Sequence, residues 1–260
     1  MGKARVIAIT NQKGGVAKTT TAVCLASGLA MKGKKALLID TDPQYNATDT
    51  YRAQVSGVAT LYDVMINNYD ALDAIQHTDA GDIIAGDPQL NAAARKLPDG
   101  FKKYYVLSKA IEPLRDVYDY IILDTPPQIG DWLYNALVAS DSCIVPVSPD
   151  RYAFQGLNDL ADTIADIQSQ KASFRISGLL LVRTNSQRAL AKESMESLPQ
   201  ICKALNTKCY ETKIRDAEAV KKSQAARMTL FQYESEIHRR QLVGSDYRNF
   251  INEILQEEEA

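Results

Sequence analysis

Six short apolar runs punctuate the chain: 4-ARVIAIT-10, 35-KALLID-40, 82-DIIAG-86, 119-DYIILD-124, 142-SCIVPV-147 and 176-ISGLLLV-182. Helical patterns fill the spaces between them, and such alternation predicts βαβ units and a parallel sheet. Ile121, Ile122 and Leu123 run apolar without a break, which fits a strand covered on both faces. The expected fold is therefore α/β, a predominantly parallel twisted sheet with helices on both faces. The stretch 18-KTTTAVCLASGLAMK-32 is rich in helix formers and ends at Gly33, a common helix stop. Further helices are expected over 152–170, 188–205 and 240–256. The sequence holds no internal repeat, low-complexity segment or Pro/Gly/Ser linker, so residues 1–260 read as a single domain.

Composition narrows the function classes. A chain of 260 residues with 45% apolar content can bury a full core, which excludes disorder and fibre. Thirty basic against thirty-two acidic residues leave a net charge of −2, so any affinity for nucleic acid must come from a local basic face. The four cysteines, Cys24, Cys143, Cys202 and Cys209, have no C-x-x-C spacing and suit reduced thiols. No apolar run approaches the roughly 20 residues of a membrane span, and residues 1–10 lack a signal-peptide core. A cytoplasmic location is expected.

Candidate chemistry begins at 11-NQKGGVAKTTT-21. A strand ending at Thr10, a glycine-containing loop and a helix opening at Lys18 give the setting of a phosphate-binding loop. Backbone N–H groups at a helix start bind anions and the lysine adds a point charge. The usual pattern G-x-x-x-x-G-K-[ST] fails at both glycines, because Gln12 and Ala17 occupy those positions. Gly14 and Gly15 remain for the sharp turn, and a methyl group at Ala17 is expected to require negative φ. Gly14, Gly15, Val16, Ala17, Lys18, Thr19 and Thr20 form the expected nucleotide loop. Asp40 and Asp124 each follow an apolar strand and should emerge at the same sheet edge as the loop, where open α/β sheets bind ligands. Asp124 matches a Walker B acid for Mg²⁺, and Thr19 offers a hydroxyl ligand. Taken singly, Asp40, Asp42 and Asp124 also suit turn or cap positions.

The segments 10-TNQKGGVAKTTTAV-23, 37-LLIDTDPQYNAT-48, 118-YDYIILDTPP-127, 135-NALVASDSCIVPVSPDRYAFQGL-157 and 178-GLLLVRTN-185 resemble the ParA/MinD family of deviant-Walker ATPases, in particular its Soj-type and plasmid ParA partition proteins. The resemblance runs in register over roughly residues 4–185. It implies an ATP- and Mg²⁺-dependent ATPase that is slow until a ParB-like centromere-binding protein stimulates it. It further implies a homodimer in the ATP state, non-specific binding of double-stranded DNA and association with the nucleoid. Lys13 takes the part of the signature lysine that reaches phosphates bound by the facing subunit. Asp42 takes that of the residue that positions the attacking water, and Pro43 would hold its backbone extended. Asp40 becomes a metal-shell or structural partner, and Arg183 and Asn185 fall near the base. Catalysis would thus rest on Lys13, Lys18 and Asp42.

The family's DNA contacts lie in the C-terminal half, where this chain departs from the pattern. It reads 214-IRDAEAVKKSQ-224, without the family's proline and with Ala219 near the position of an arginine. Arg188, Lys221, Lys222 and Arg227 are the substitutes, although the same charges also suit solvated helix faces. With only about ten residues before the loop, no helix-turn-helix is expected upstream of it. Two alternatives stay open: a nucleotide-gated DNA-binding regulator that does not hydrolyse, and a MinD-like membrane ATPase. Against the second, the terminal run 250-FINEILQEEEA-260 is acidic where a lipid-inserting helix is basic.

Overall fold

The computed structural model describes residues 3–149, 155–184 and 198–259. Its strands form one eight-stranded sheet in the order β3-β4-β2-β5-β1-β6-β7-β8. In chain order these are β1 (Arg5–Ile9), β2 (Ala36–Asp40), β3 (Ile75–Thr78), β4 (Gly81–Ile84), β5 (Tyr120–Asp124), β6 (Ser142–Val147), β7 (Arg175–Thr184) and β8 (Cys209–Arg215). Every pairing is parallel except β3 with β4. The six expected strands are present, with Gly81–Ile84 joined to β3 as a hairpin. The sequence reading missed β3 and β8.

The central strands explain why their sequences do not alternate. Val6, Ala8, Leu37, Ile39, Ile121 and Leu123 face one apolar cluster, while Ile7, Ile9, Leu38, Tyr120 and Ile122 face a second on the opposite side. Each face needs its own helical cover because apolar area left in water forfeits about 25 cal/mol per Å². The first side is covered by α3 (Leu61–Ile66), α5 (Val106–Ala110), α6 (Asp131–Ala139) and α7 (Gln155–Gln170), with α4 (Leu90–Ala93) beside them. The second is covered by α1 (Lys18–Met31), α10 (Leu230–Glu236) and α11 (Leu242–Glu259). Two short helices matter for the site, α2 (Asn46–Thr50) and α9 (Glu218–Ala225). Residues 198–204 form a further helix, α8, which is the described part of the helix expected over 188–205.

Close packing fixes α1 and α11 against each other. Gly28 of α1 lies where a Cβ would come within 2.1 Å of Ile251 Cδ1. Tyr247, Phe250, Ile251 and Ile254 of α11 are all buried in the second cluster. At the opposite rim of the sheet, Arg115 binds Asp141 through Nη1 at 3.0 Å and Nη2 at 3.1 Å, and the same guanidinium reaches the carbonyls of Ala4 and Ala139. This two-pronged pairing pins the amino ends of β1 and β6.

Candidate active site

The carboxyl ends of β1, β2 and β5 meet at one edge, because Ile9 and Asp40 both lie in register with Asp124. The loop after β1 is held at its start by Thr10, whose N–H donates to Ile144 O at 3.0 Å, and by Asn11, whose Nδ2 donates to Pro146 O at 2.8 Å. Asn11 Oδ1 then accepts from Lys13 N at 2.9 Å, which turns the chain outward. Lys18 reaches back across the loop and donates from Nζ to Lys13 O at 3.0 Å. The Lys18 side chain is nearly buried, and burial lowers its pKa while Asp124 and Asp42 act to raise it.

Ala17 corrects the expectation of negative φ. Its φ is 58° and ψ 30°, the left-handed conformation of a glycine at this turn. The chain must reverse between the loop and α1, and the Ala17 carbonyl opens the helix by accepting from Thr21 N at 2.9 Å. An L-residue pays roughly 1–2 kcal/mol in this region. The methyl packs against the apolar cluster under α1, and the residue still lines the cavity described below.

The acids divide into two kinds. Asp40 is fully buried and already used: Thr48 donates to its Oδ2 from N and from Oγ1, both at 2.8 Å, and Asp42 N donates to Oδ1 at 3.2 Å. Burial nevertheless pushes its pKa up to about 6. Gly86 makes room for this arrangement, since a Cβ there would lie 3.0 Å from Asp40 O. Asp124 is equally buried, but neither of its carboxylate oxygens has a hydrogen-bond partner. Burial first, then the Asp40 charge, drives its pKa well above the ordinary value, and the neighbouring Thr19 hydroxyl offsets only part of this. A buried carboxylate without partners is costly, and its two oxygens beside a threonine hydroxyl are hard donors of the kind Mg²⁺ takes. The residues present therefore fit the ion. Asp42 follows with its Oδ1 accepting from Gln44 N at 2.9 Å.

Lys18, Thr19 and Asp42 open onto a cavity of about 650 Å³, whose lining does not include Asp40 or Asp124, and its volume is typical of a small-molecule site. Gly14, Gly15, Lys18, Thr19 and Thr20 form its floor, and Asp42 and Gln44 stand at its side. Val16 is buried behind the loop, and Lys13 is not part of the lining. Arg183, at the tip of β7, donates from Nη1 to Gly15 O at 2.9 Å, so it straps the loop as well as lining the cavity. Asn185 lies outside the described residues.

Three of the four DNA candidates, Lys221, Lys222 and Arg227, lie on α9 or just past its end. Arg188 lies outside the described residues. Lys222 is exposed and sits 3.3 Å from Glu218. Lys221 points into the cavity wall, because α9 lies along the nucleotide edge. Arg227 pairs with Asp49 at 2.7 Å, both side chains about half exposed. Arg215, at the end of β8, is taken by Asp246 at 2.7 and 2.9 Å. The sequence reading also missed Gln224, which lines the cavity and donates to Thr20 Oγ1 at 3.1 Å. Nothing local in 218-EAVKKSQA-225 signals it, since the two residues are 204 positions apart.

Comparison with known proteins agrees with this geometry. Residues 4–176 match the family described as AAA domain. The chain is 38% identical over 218 residues to the sporulation initiation inhibitor protein Soj of Bacillus subtilis, covering 82% of this chain and 84% of that one. It is 34% identical over 198 residues to the chromosome partitioning protein ParA of Myxococcus xanthus, covering 75% and 70%. A putative plasmid partition protein of Borrelia burgdorferi, solved bound to AMPPNP, superposes with a TM-score of 0.74 at 25% identity, covering 98% of this chain and 100% of the other.

Proposed function

This chain belongs to the ParA/MinD family of deviant-Walker ATPases, and from that premise we propose that it is a partition ATPase whose ATP-bound dimer grips DNA. The observation that carries the reading is that Lys18 and Thr19 line one cavity while the buried Asp124, whose carboxylate oxygens have no hydrogen-bond partner, neighbours both of them, with Lys13 outside the lining. Lys18 holds the phosphates, and Thr19 and Asp124 hold Mg²⁺, with Asp40 fixing the strand end behind them. When bound, Mg²⁺ neutralises phosphate charge. Asp42 stands beside the phosphate floor and orients the attacking water through its carboxylate. Lys13 lies outside the cavity lining, and in this reading it serves the nucleotide of a second subunit and offsets charge developing on the transferred phosphoryl.

Dimerisation then decides DNA binding by magnitude. Non-specific contacts at physiological salt give only ~10⁻⁴–10⁻⁶ M, and two subunits roughly double the phosphates neutralised. The Lys222–Glu218 pair is largely exposed and so weak, which leaves Lys222 able to exchange its partner for a phosphate. A centromere-binding partner of the ParB type would stimulate hydrolysis and reset the cycle, in the cytoplasm and on the nucleoid. The membrane alternative loses ground because α11 spends its apolar face on the core, and no helix among the described residues is long and apolar enough to cross a membrane.

The experiment is DNA binding with no nucleotide, ADP or ATP plus Mg²⁺. Affinity in the ATP state alone, with a log–log salt slope of about −5 to −7 and its loss in Lys13→Ala, is the expected result. Equal affinity in the ADP and ATP states would refute the switch.

A further inference from the structure

Two helices end in the same way and grasp each other. In α2, Arg52 N donates to Asp49 O at 3.1 Å and Ala53 N to Thr48 O at 3.1 Å. In α9, Arg227 N donates to Gln224 O at 2.9 Å and Met228 N to Ser223 O at 3.0 Å. Both are Schellman endings, whose turning residue is left-handed and most often glycine. Here the turning residues are Arg52, with φ 53°, and Arg227, with φ 51°. Each is strained for an L-residue, and each sends its guanidinium to the other helix. Arg52 Nε donates to Arg227 O at 2.9 Å and its Nη2 to Ala226 O at 3.1 Å, closing the carbonyl end of α9. Arg227 Nε returns to Asp49 Oδ1 at 2.7 Å.

The helices joined in this way are two walls of the nucleotide cavity. Asn46, Asp49 and Thr50 line it from α2, and Val220, Lys221 and Gln224 line it from α9. Asp49 and Arg227 are each about half exposed, so the ion pair alone contributes little. Three charge-assisted contacts between two helix ends, kept at the expense of two strained backbones, do more than one pair. Strain retained beside a binding cavity points to a role in that site.

We propose that Arg227, Asp49 and Arg52 are positioning residues that hold the α2 and α9 walls together and so set how fast nucleotide leaves. The proposal rests on the reading of this cavity as the ATP site. Arg227 therefore serves nucleotide retention, the opposite side of the cycle from the DNA contact its charge suggests.

Glycine is the natural test, because it suits the left-handed backbone while removing the guanidinium. Release of a fluorescent ATP analogue with Mg²⁺ is followed by stopped-flow chase in wild type, Arg52→Gly, Arg227→Gly and the charge exchange Asp49→Arg with Arg227→Asp. Expected are release rates about threefold to tenfold faster in both glycine variants, with melting temperatures lowered by less than about 2 °C. The exchanged pair should return to within about twofold of wild type, a rescue that loss of structure alone does not give. Unchanged release in the glycine variants, or an exchange no slower than Arg227→Gly, overturns the clamp while leaving the ATP site standing. A wild type that binds no analogue overturns both.

Discussion

Lys18 and Lys13 are joined tail to backbone: the Lys18 ammonium donates to the Lys13 carbonyl at 3.0 Å. The inner lysine thereby helps shape the loop that presents the outer one, and the proposed function gives the two separable tasks. Lys18→Ala should weaken ATP binding by about tenfold to a hundredfold, the worth of a charged hydrogen bond, and abolish turnover. Lys13→Ala should keep ATP binding by calorimetry to within a few-fold and lose the ATP-dependent dimer in light scattering. Equal loss of nucleotide affinity in both variants would contradict the division of labour.

Asp124 makes stability depend on pH in an unusual direction. Its native pKa is raised well above the ordinary carboxylate value, and that of Asp40 is raised to about 6. A group with raised native pKa binds its proton more tightly folded than unfolded, so stability falls as pH climbs from about 4 through that native pKa and stays reduced above it. Removing the charge should therefore help. In metal-free buffer at pH 7, Asp124→Asn should be more stable than wild type by at least about 1 kcal/mol. The gain should shrink toward pH 4, and chemical denaturation at the two pH values reads it out. Mg²⁺ with ATP should stabilise wild type and not the variant.

Ala17→Gly tests the left-handed turn. Relief of roughly 1–2 kcal/mol of backbone strain is set against up to about 1 kcal/mol of added unfolded-chain entropy and one lost methyl contact. The net change should be neutral to about 1 kcal/mol stabilising, with ATP affinity retained. A large loss of stability would mean that the methyl packing, and not the turn, determines the residue.

Gly86→Ala should be harmful although the residue lies outside the cavity lining. A Cβ at 3.0 Å from the Asp40 carbonyl and carboxyl carbon has only backbone and a fully bonded side chain to push against. A cost of about 1–3 kcal/mol in denaturant unfolding is expected. Nucleotide affinity should fall too, because Asp40 anchors Thr48 of α2.

The central fold was legible because β1, β2 and β5 are apolar on both faces, a pattern that water-exposed segments do not produce. The outer strands were not. In 209-CYETKIR-215 only Tyr210 and Ile214 are buried, and 75-IQHT-78 has no fully buried residue, so neither resembles the inner runs. The phosphate floor was legible for a local reason, since loop, Lys18 and Thr19 are contiguous. The α2–α9 grasp was not, because its partners lie 175 residues or so apart and ion pairing over that distance leaves no trace in spacing. The pairing of Arg227 with Asp49 was hidden on the same ground: charge is visible in sequence, but the direction in which a helix end aims it is not. At Ala17 the turn that the loop needs outweighs the preference of an alanine for negative φ.

The two-sided core has a consequence for how the protein signals. A sheet sealed by side chains above and below is a slab with little internal slack, and the nucleotide cavity opens along one edge of it. A difference between ATP and ADP forms is therefore expected first at that rim, in the loop strapped by Arg183, the α2 segment and α9. The strands are the anvil, and the fittings bolted along one edge take the blow.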